Sequence, residues 1–252
     1  MEADLRGGGE GAPDQVDSQK GRNNALLIHR SLRESILAGE VLAGQEISQV
    51  QLADQFNVSR GPVREALKML ERDGLIEAEV NHRARVTRLS PSDLEQIYGM
   101  RIVLESVAIA VSVPALTDDD FIVLDLTLSE MEELAGVDAE RWAVPHARFH
   151  RTLVAYAGER TELAILQLFE HSERYRRIYL AQGPRMWTAG VAEHHEIVDA
   201  CRARDARKAS VLLARHLSRT ALTVLMVVAP EYNPALVRAS VRQVVEGEQL
   251  PA

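Results

Sequence analysis

The sequence predicts a mostly α-helical protein in two parts: a small N-terminal unit of three helices and a β-hairpin, followed by an all-α bundle. Three observations predict it. Apolar residues recur at helical spacing through most of the chain. One pair of short alternating runs, Leu75–Val80 and Ala84–Leu89, flanks the polar corner Asn81-His82-Arg83 and reads as a hairpin. From Pro91 onward, about 140 residues pass without a convincing strand.

Residues 1–22 combine glycine, acids, Gln and Asn with almost no large apolar side chains, and are expected to be a disordered tail. In the unit over residues 23–89, Leu27, Ile28, Leu32, Ile36 and Leu37 mark a first helix that stops at Gly39. Ser48 opens a short run with Leu52, Ala53 and Phe56. After the tight Asn57-Val58 connection, Ser59 caps a third helix to Asp73, with Pro62 in its first turn where a missing N–H costs little. The bundle, residues 90–229, reads as six helices over 91–113, 117–134, 139–157, 161–181, 187–203 and 205–228, with Ser90, Thr117 and Asp205 as caps. Residues 230–252 form a C-terminal extension with a short helix near 235–245 and a frayed tail.

Composition narrows the function. The 252 residues suit two domains. The single cysteine, Cys201, excludes an internal disulfide and a thiolate cluster, which points to a reducing cytoplasm. The start MEADLRGGGEGAPDQ gives no reason to expect a signal peptide, and no stretch approaches the roughly 20 apolar residues of a membrane span, so no membrane partner is expected. A net charge of -8 argues against nucleic acid until it is divided. Residues 22–88 hold ten basic and nine acidic side chains, so the acid belongs to the tail and the bundle.

The segment from Ser48 to Asp73 has the form of a helix-turn-helix, whose second helix enters the major groove by its N-terminal end. Arg60 and Arg64, four apart, share one face of that helix, while Val63, Ala66, Leu67 and Leu70 take the other. Two arginines at the leading end suit bidentate contacts to guanine or phosphate, and Gly61 lets backbone come close. His82, Arg83 and Arg85 cluster at the hairpin, where a wing reaches the minor groove or flanking phosphates. The plainer reading is a solvated arginine face on an ordinary three-helix unit.

The stretch VSRGPVREALKMLERDGLIEAEVNHRARV, with Leu52-Ala53 before it, closely resembles the winged helix of GntR-family transcription regulators. The chain beyond it resembles the FadR subfamily with its all-helical FCD ligand domain, on Arg101 with Leu104-Glu105, Phe149-His150, Glu193-His194 and His216-Leu217. The resemblance implies a repressor that binds double-stranded palindromic operator DNA as a homodimer and senses a small organic acid. It implies operator contacts from Ser59, Arg60, Gly61 and Arg64, with the wing residues adding to them. The chain departs from the family at Gln49 and Val50, where an acid and an arginine are common, and at Arg83, where the wing glycine is usual.

Four of the eight histidines fall at suggestive places. His146 and His150 are i, i+4 on one helix, so both imidazoles reach one ion. His194 and His216 lie on the last two bundle helices, which an antiparallel bundle sets side by side. Together the four suit a divalent metal, although a single buried histidine is more often a hydrogen-bonded core residue. In metal-binding members of the subfamily the first position is Asp or Asn before Phe-His; here HARFH places His146 there. Two arrangements stay open: a four-histidine site favouring zinc or nickel, or a three-histidine site with His146 turned elsewhere. The family also implies an effector carboxylate completing the metal shell, with Arg101 and Arg174 as its partners; the plainer reading of Arg101 is an ion pair with Glu105. Trp142, Trp187, Tyr175 and Tyr179 are expected to be packing or dimer-contact residues. His-x-x-x-His is also the zincin arrangement, which makes a metal-dependent hydrolase the alternative. That chemistry needs glutamate directly after the first histidine, and Ala147 stands there.

Overall fold

The computed structural model describes residues 13–79 and 83–247. The chain divides into two compact units, Met1–Arg88 and Leu89–Ala252.

In the first unit, α1 (Pro13–Leu37) is followed by strand β1 (Glu46–Ile47), α2 (Gln49–Gln55), α3 (Arg60–Arg72), β2 (Ile76–Glu79) and β3 (Arg83–Val86). α1 thus begins inside the stretch expected to be a disordered tail. Proline is tolerated at a first helical position, and between Asp14 and Lys20 nothing interrupts propagation from the apolar half of the helix. Ser48 caps α2 by accepting from the Gln51 N–H at 3.3 Å, and Asn57 turns the chain at φ 50° before α3. The hairpin pairs antiparallel, with Ile76 opposite Val86 and Ala78 opposite Ala84. β1, too short to leave a periodic trace in the sequence, adds a third strand on the far side of β3. Ile28, Ile36, Val63, Ala66, Leu70, Leu75 and Val86 close the core.

The second unit holds α4 (Pro91–Ser112), a 3-10 turn over Val113–Ala115, α5 (Asp118–Leu134), α6 (Ala139–Leu153), α7 (Glu159–Leu180), α8 (Pro184–Arg202), α9 (Ala206–Val228) and α10 (Ala235–Glu246). The expected caps are in place: Ser90 accepts from Asp93 N–H, Thr117 and Asp120 form a reciprocal capping box, and Asp205 accepts from Lys208 N–H. α6 runs unbroken through Pro145. α4 sits centrally, packed against α7, α9 and α10.

The C-terminal helix belongs to the bundle rather than trailing from it. Val237 and Val244 join the core, and buried Glu95 on α4 accepts from both Tyr232 Oη and the Leu236 N–H at 2.6 Å. The two helices approach so closely at Gly99 that a Cβ there would lie 2.8 Å from Leu236 Cγ. By length and composition, 91–115 and α9 are apolar enough to cross a membrane, which corrects the expectation that no stretch would be. Both are core helices, 61 % and 50 % buried within this unit, and their apolar character reflects that packing.

Candidate functional site

Two sites emerge, one in each unit. In the first, Ser59 stands at the N-cap of α3 in extended conformation without using its hydroxyl as a cap. Arg60 and Arg64 follow on the exposed face, and neither forms an ion pair among the described residues. Val63, Ala66, Leu67 and Leu70 are buried behind them, as the spacing requires. Gly61 has no internal reason to be glycine: an added Cβ would meet nothing nearer than Ser59 Oγ at 3.8 Å, an ordinary contact. The first turn of α3 therefore offers two guanidiniums and a bare stretch of backbone to an external partner. Arg85 is placed differently. It donates to the Gly44 carbonyl and to Glu46, both at 2.6 Å, and so ties β3 to the turn before β1. His82 lies outside the described residues, as does the side chain of Arg83.

In the second unit, His146 and His150 on α6, His194 on α8 and His216 on α9 are all buried, and one ring nitrogen from each lies within 4.8 Å of the others. Of the two arrangements left open by the sequence, this geometry favours four converging imidazoles. Nε2 of His146 and Nε2 of His150 are 3.1 Å apart. Both nitrogens of His194, and Nδ1 of His146 and His150, have no hydrogen-bond partner. Burial, followed by the neighbouring His150, holds His146 well below the ordinary histidine pKa; burial does the same to His194, helped by His216, and lowers His150 to about 4. Four buried imidazoles, three of them with nitrogens that lack a hydrogen-bond partner, are a chemically apt donor set for a divalent ion.

Carboxylates surround the cluster. His216 Nδ1 is 2.8 Å from Glu193, which also receives Arg219, an arrangement that turns the other His216 nitrogen inward. Glu105 Oε2 lies 3.8 Å from His150 Nδ1, a charge contact rather than a hydrogen bond. Glu105 also pairs with Arg101 at 2.6 Å, and despite complete burial its carboxyl is lowered to about 2 by Arg101 and His150. Arg101 donates further to Ser172 Oγ, which itself donates to the Phe169 carbonyl.

A cavity of about 30 Å³ opens on the four histidines. Arg101 lines it while keeping its pair with Glu105, so both readings of that residue hold at once. Arg174 does not line it and lies instead near Tyr175 and Asp93. Arg176 takes that place, two residues on. Its guanidinium rests 4.9 Å from the Trp142 ring and pairs with Glu173, leaving Nη1 unpartnered. The aromatics expected to be simple packing form the cavity wall: Trp142 stacks on His146 at 4.3 Å, and Trp187 and Tyr179 also line the space. A signal for Arg176 was present in the sequence. Phe169, Ser172, Arg176 and Tyr179 recur at helical spacing on the buried face of α7, whereas Arg174 falls off it.

Comparison with known proteins finds relatives for both units. The gntR family of bacterial regulatory proteins matches residues 25–86 and the FCD domain matches residues 96–219. A regulator of the HTH type in the TAR-I ttuE–ttuC' intergenic region of Agrobacterium vitis is 32 % identical over 147 residues, 57 % of this chain and 86 % of that protein. The HTH-type transcriptional repressor GlaR of Escherichia coli is 26 % identical over 75 % of this chain and 90 % of its own. The structure of E. coli McbR/YncC shares the fold, with a TM-score of 0.70 at 21 % identity over 81 % of this chain and 97 % of that one. These relatives are regulators rather than enzymes, which leaves the hydrolase alternative without support. The chain belongs to the gntR family of bacterial regulatory proteins and is a transcriptional regulator that joins a DNA-binding helix-turn-helix to an FCD domain.

Proposed function

We propose that the protein is a metal-dependent, ligand-responsive repressor that binds a palindromic operator as a homodimer in the cytoplasm and answers to a small carboxylate in the helical unit. The observation that carries the reading is the convergence of four buried histidines, three of them with nitrogens that lack a hydrogen-bond partner, in a cavity that also meets Arg101. The all-imidazole donor set suits zinc best, with nickel next. Such an ion, when bound, supplies positive charge and an open position for a carboxylate oxygen. Glu193 orients His216 toward it by a hydrogen bond, and Glu105 adds negative charge beside His150.

Sequence-specific operator binding calls for two copies, because one recognition helix specifies only a few base pairs. α4 supplies a fitting face: Met100, Val103, Val107 and Val111 form an exposed apolar stripe at helical spacing, between 39 % and 59 % exposed. Effector binding couples to operator binding through a shift of α4, whose Arg101 lines the cavity and which is the first helix after the wing strand β3 in the chain.

Elemental analysis and gel shifts test this together. Wild-type protein purified without chelator is expected to carry zinc or nickel, and His194→Ala to carry none; equal, negligible metal in both overturns the metal site. On its own upstream DNA at fixed salt, wild-type is expected to give a specific shift that short carboxylates reverse and Arg64→Ala to give none. Wild-type affinity in Arg64→Ala overturns the assignment of α3.

A further inference from the structure

In the reading above, the first unit meets DNA by the leading end of α3, and α1 lies beside that end. His29 on α1 is 2.7 Å from Asp73, which closes the far end of α3, and Arg33 is 3.9 Å from the same carboxylate. Earlier on α1, Gly21 and Arg22 share a groove with Gly61 and Pro62 in the first turn of α3. The two helices therefore run parallel. Because α1 begins at Pro13, about 12 Å of it precedes Gly21 and projects past the end of α3 that is directed into the major groove.

Affinity for DNA rests largely on phosphate contacts, which also fix the register of the protein on the duplex. The usual source of such contacts is bare of cations here: α2, the helix that crosses the backbone in this motif, holds no lysine or arginine and includes Asp54. Arg85 is tied to Gly44 and Glu46, and Lys68 is held by Glu65 at 2.9 Å. Arg22 is not committed in this way. It is exposed, forms no ion pair among the described residues, and lines the groove from α1 as Arg64 does from α3.

Between these two guanidiniums the groove is open, since a Cβ built on Gly21 meets nothing within 4 Å. Its apolar part comes from Ala25, Leu26, Pro62 and Met69, with Leu26 left 53 % exposed. Glu65, the one acid among the described lining residues, already has Lys68 as its partner. Cations beside an apolar strip suit a sugar–phosphate strand, in which deoxyribose carbons alternate with charged oxygens.

Resting on the assignment of α3 to the major groove, we infer that the α1–α3 groove receives the DNA strand bordering that major groove, with Arg22 on one of its phosphates. Arg22 is on this account a positioning contact: it adds affinity for any sequence, whereas Arg64 selects among sequences. It stands ahead of the stretch that matches the gntR family, which begins at residue 25.

Fluorescence anisotropy with full-length protein tests it, on the chain's own upstream DNA and on a scrambled duplex of equal length across a range of salt. Arg22→Ala is expected to weaken both duplexes by the same factor, about 10-fold at low salt, and to reduce the salt slope by about 1 for each copy of the chain bound. Arg22→Lys is expected to restore most of the affinity, because a point charge serves a phosphate. Methylphosphonates in place of the phosphates flanking the site are expected to cost wild-type the same factor and Arg22→Ala nothing further. An unchanged slope in Arg22→Ala overturns the inference, and so does a loss confined to the upstream DNA, which would make Arg22 a reader of bases. Tighter binding by Arg22→Ala also overturns it, since the groove would then hold an acidic protein segment in competition with DNA. Wild-type affinity in Arg64→Ala overturns the assignment of α3 and this inference with it.

Discussion

The two units handle charge in opposite ways. On α3, Arg60 and Arg64 stand in solvent without ion pairs among the described residues, ready for an external partner. In the bundle, Arg101 and Arg176 are buried and already engaged with Glu105 and Glu173. An exposed arginine contributes little to folding and is available for binding, whereas a buried one is part of the fold before it is part of any site. Substitutions in the first unit should therefore separate function from stability, and substitutions in the second should not.

The bundle's response to acid should show this most strongly. The metal-free protein keeps His146, His150 and His194 neutral with folded pKa values below the ordinary one. The sign comes from that depression: above the unfolded pKa of about 6.5 nothing is lost, and below it the unfolded chain takes up protons that the folded one refuses. Stability should fall by up to about 1.4 kcal/mol per pH unit for each such histidine, down to about pH 4 for His150. Urea unfolding of metal-free protein between pH 7 and pH 5 reads it; a flat profile would show that these imidazoles are solvated and erase the contrast between units. Next is Arg101→Met, which strands Glu105 in the core and should cost about 3–5 kcal/mol. The same unfolding assay measures it, and adding Glu105→Gln should restore part of the loss. Gly61→Ala is the gentlest on folding and the most discriminating between the units. Its new methyl meets only Ser59 Oγ at 3.8 Å, so stability should hold or rise by up to about 1 kcal/mol while operator affinity at fixed salt falls. Unchanged affinity would mean that DNA does not approach that backbone.

Much of the fold was legible because its signals are local. Caps at Ser90, Thr117 and Asp205 and the apolar rhythm of α4 to α9 depend on neighbours within one or two turns. β1 was not legible, since two residues carry no period and its partner β3 lies far along the chain. The four histidines were legible as a set, because i, i+4 spacing and adjacent antiparallel helices are enough to bring them together. The wall opposite them was not. Choosing Arg176 over Arg174 requires the phase of α7 to be counted from Phe169, and recognising Trp142 as cavity lining requires knowing that its ring lies on His146. Arg85 shows the converse: its place beside the wing in sequence says nothing of Glu46, which meets it only once the third strand has formed.

The attachment of α10 through Glu95 bears on where the chain can be shortened. One buried carboxylate accepts both Tyr232 Oη and the Leu236 N–H, and Leu236 fills the notch at Gly99. A truncation ahead of Tyr232 removes both donors together and leaves an unmatched acid on the central helix, beside a freshly uncovered apolar strip. Such a shortened protein should precipitate under conditions where the full chain stays in solution, and a fusion partner added at the C-terminal side of α10 should leave it intact.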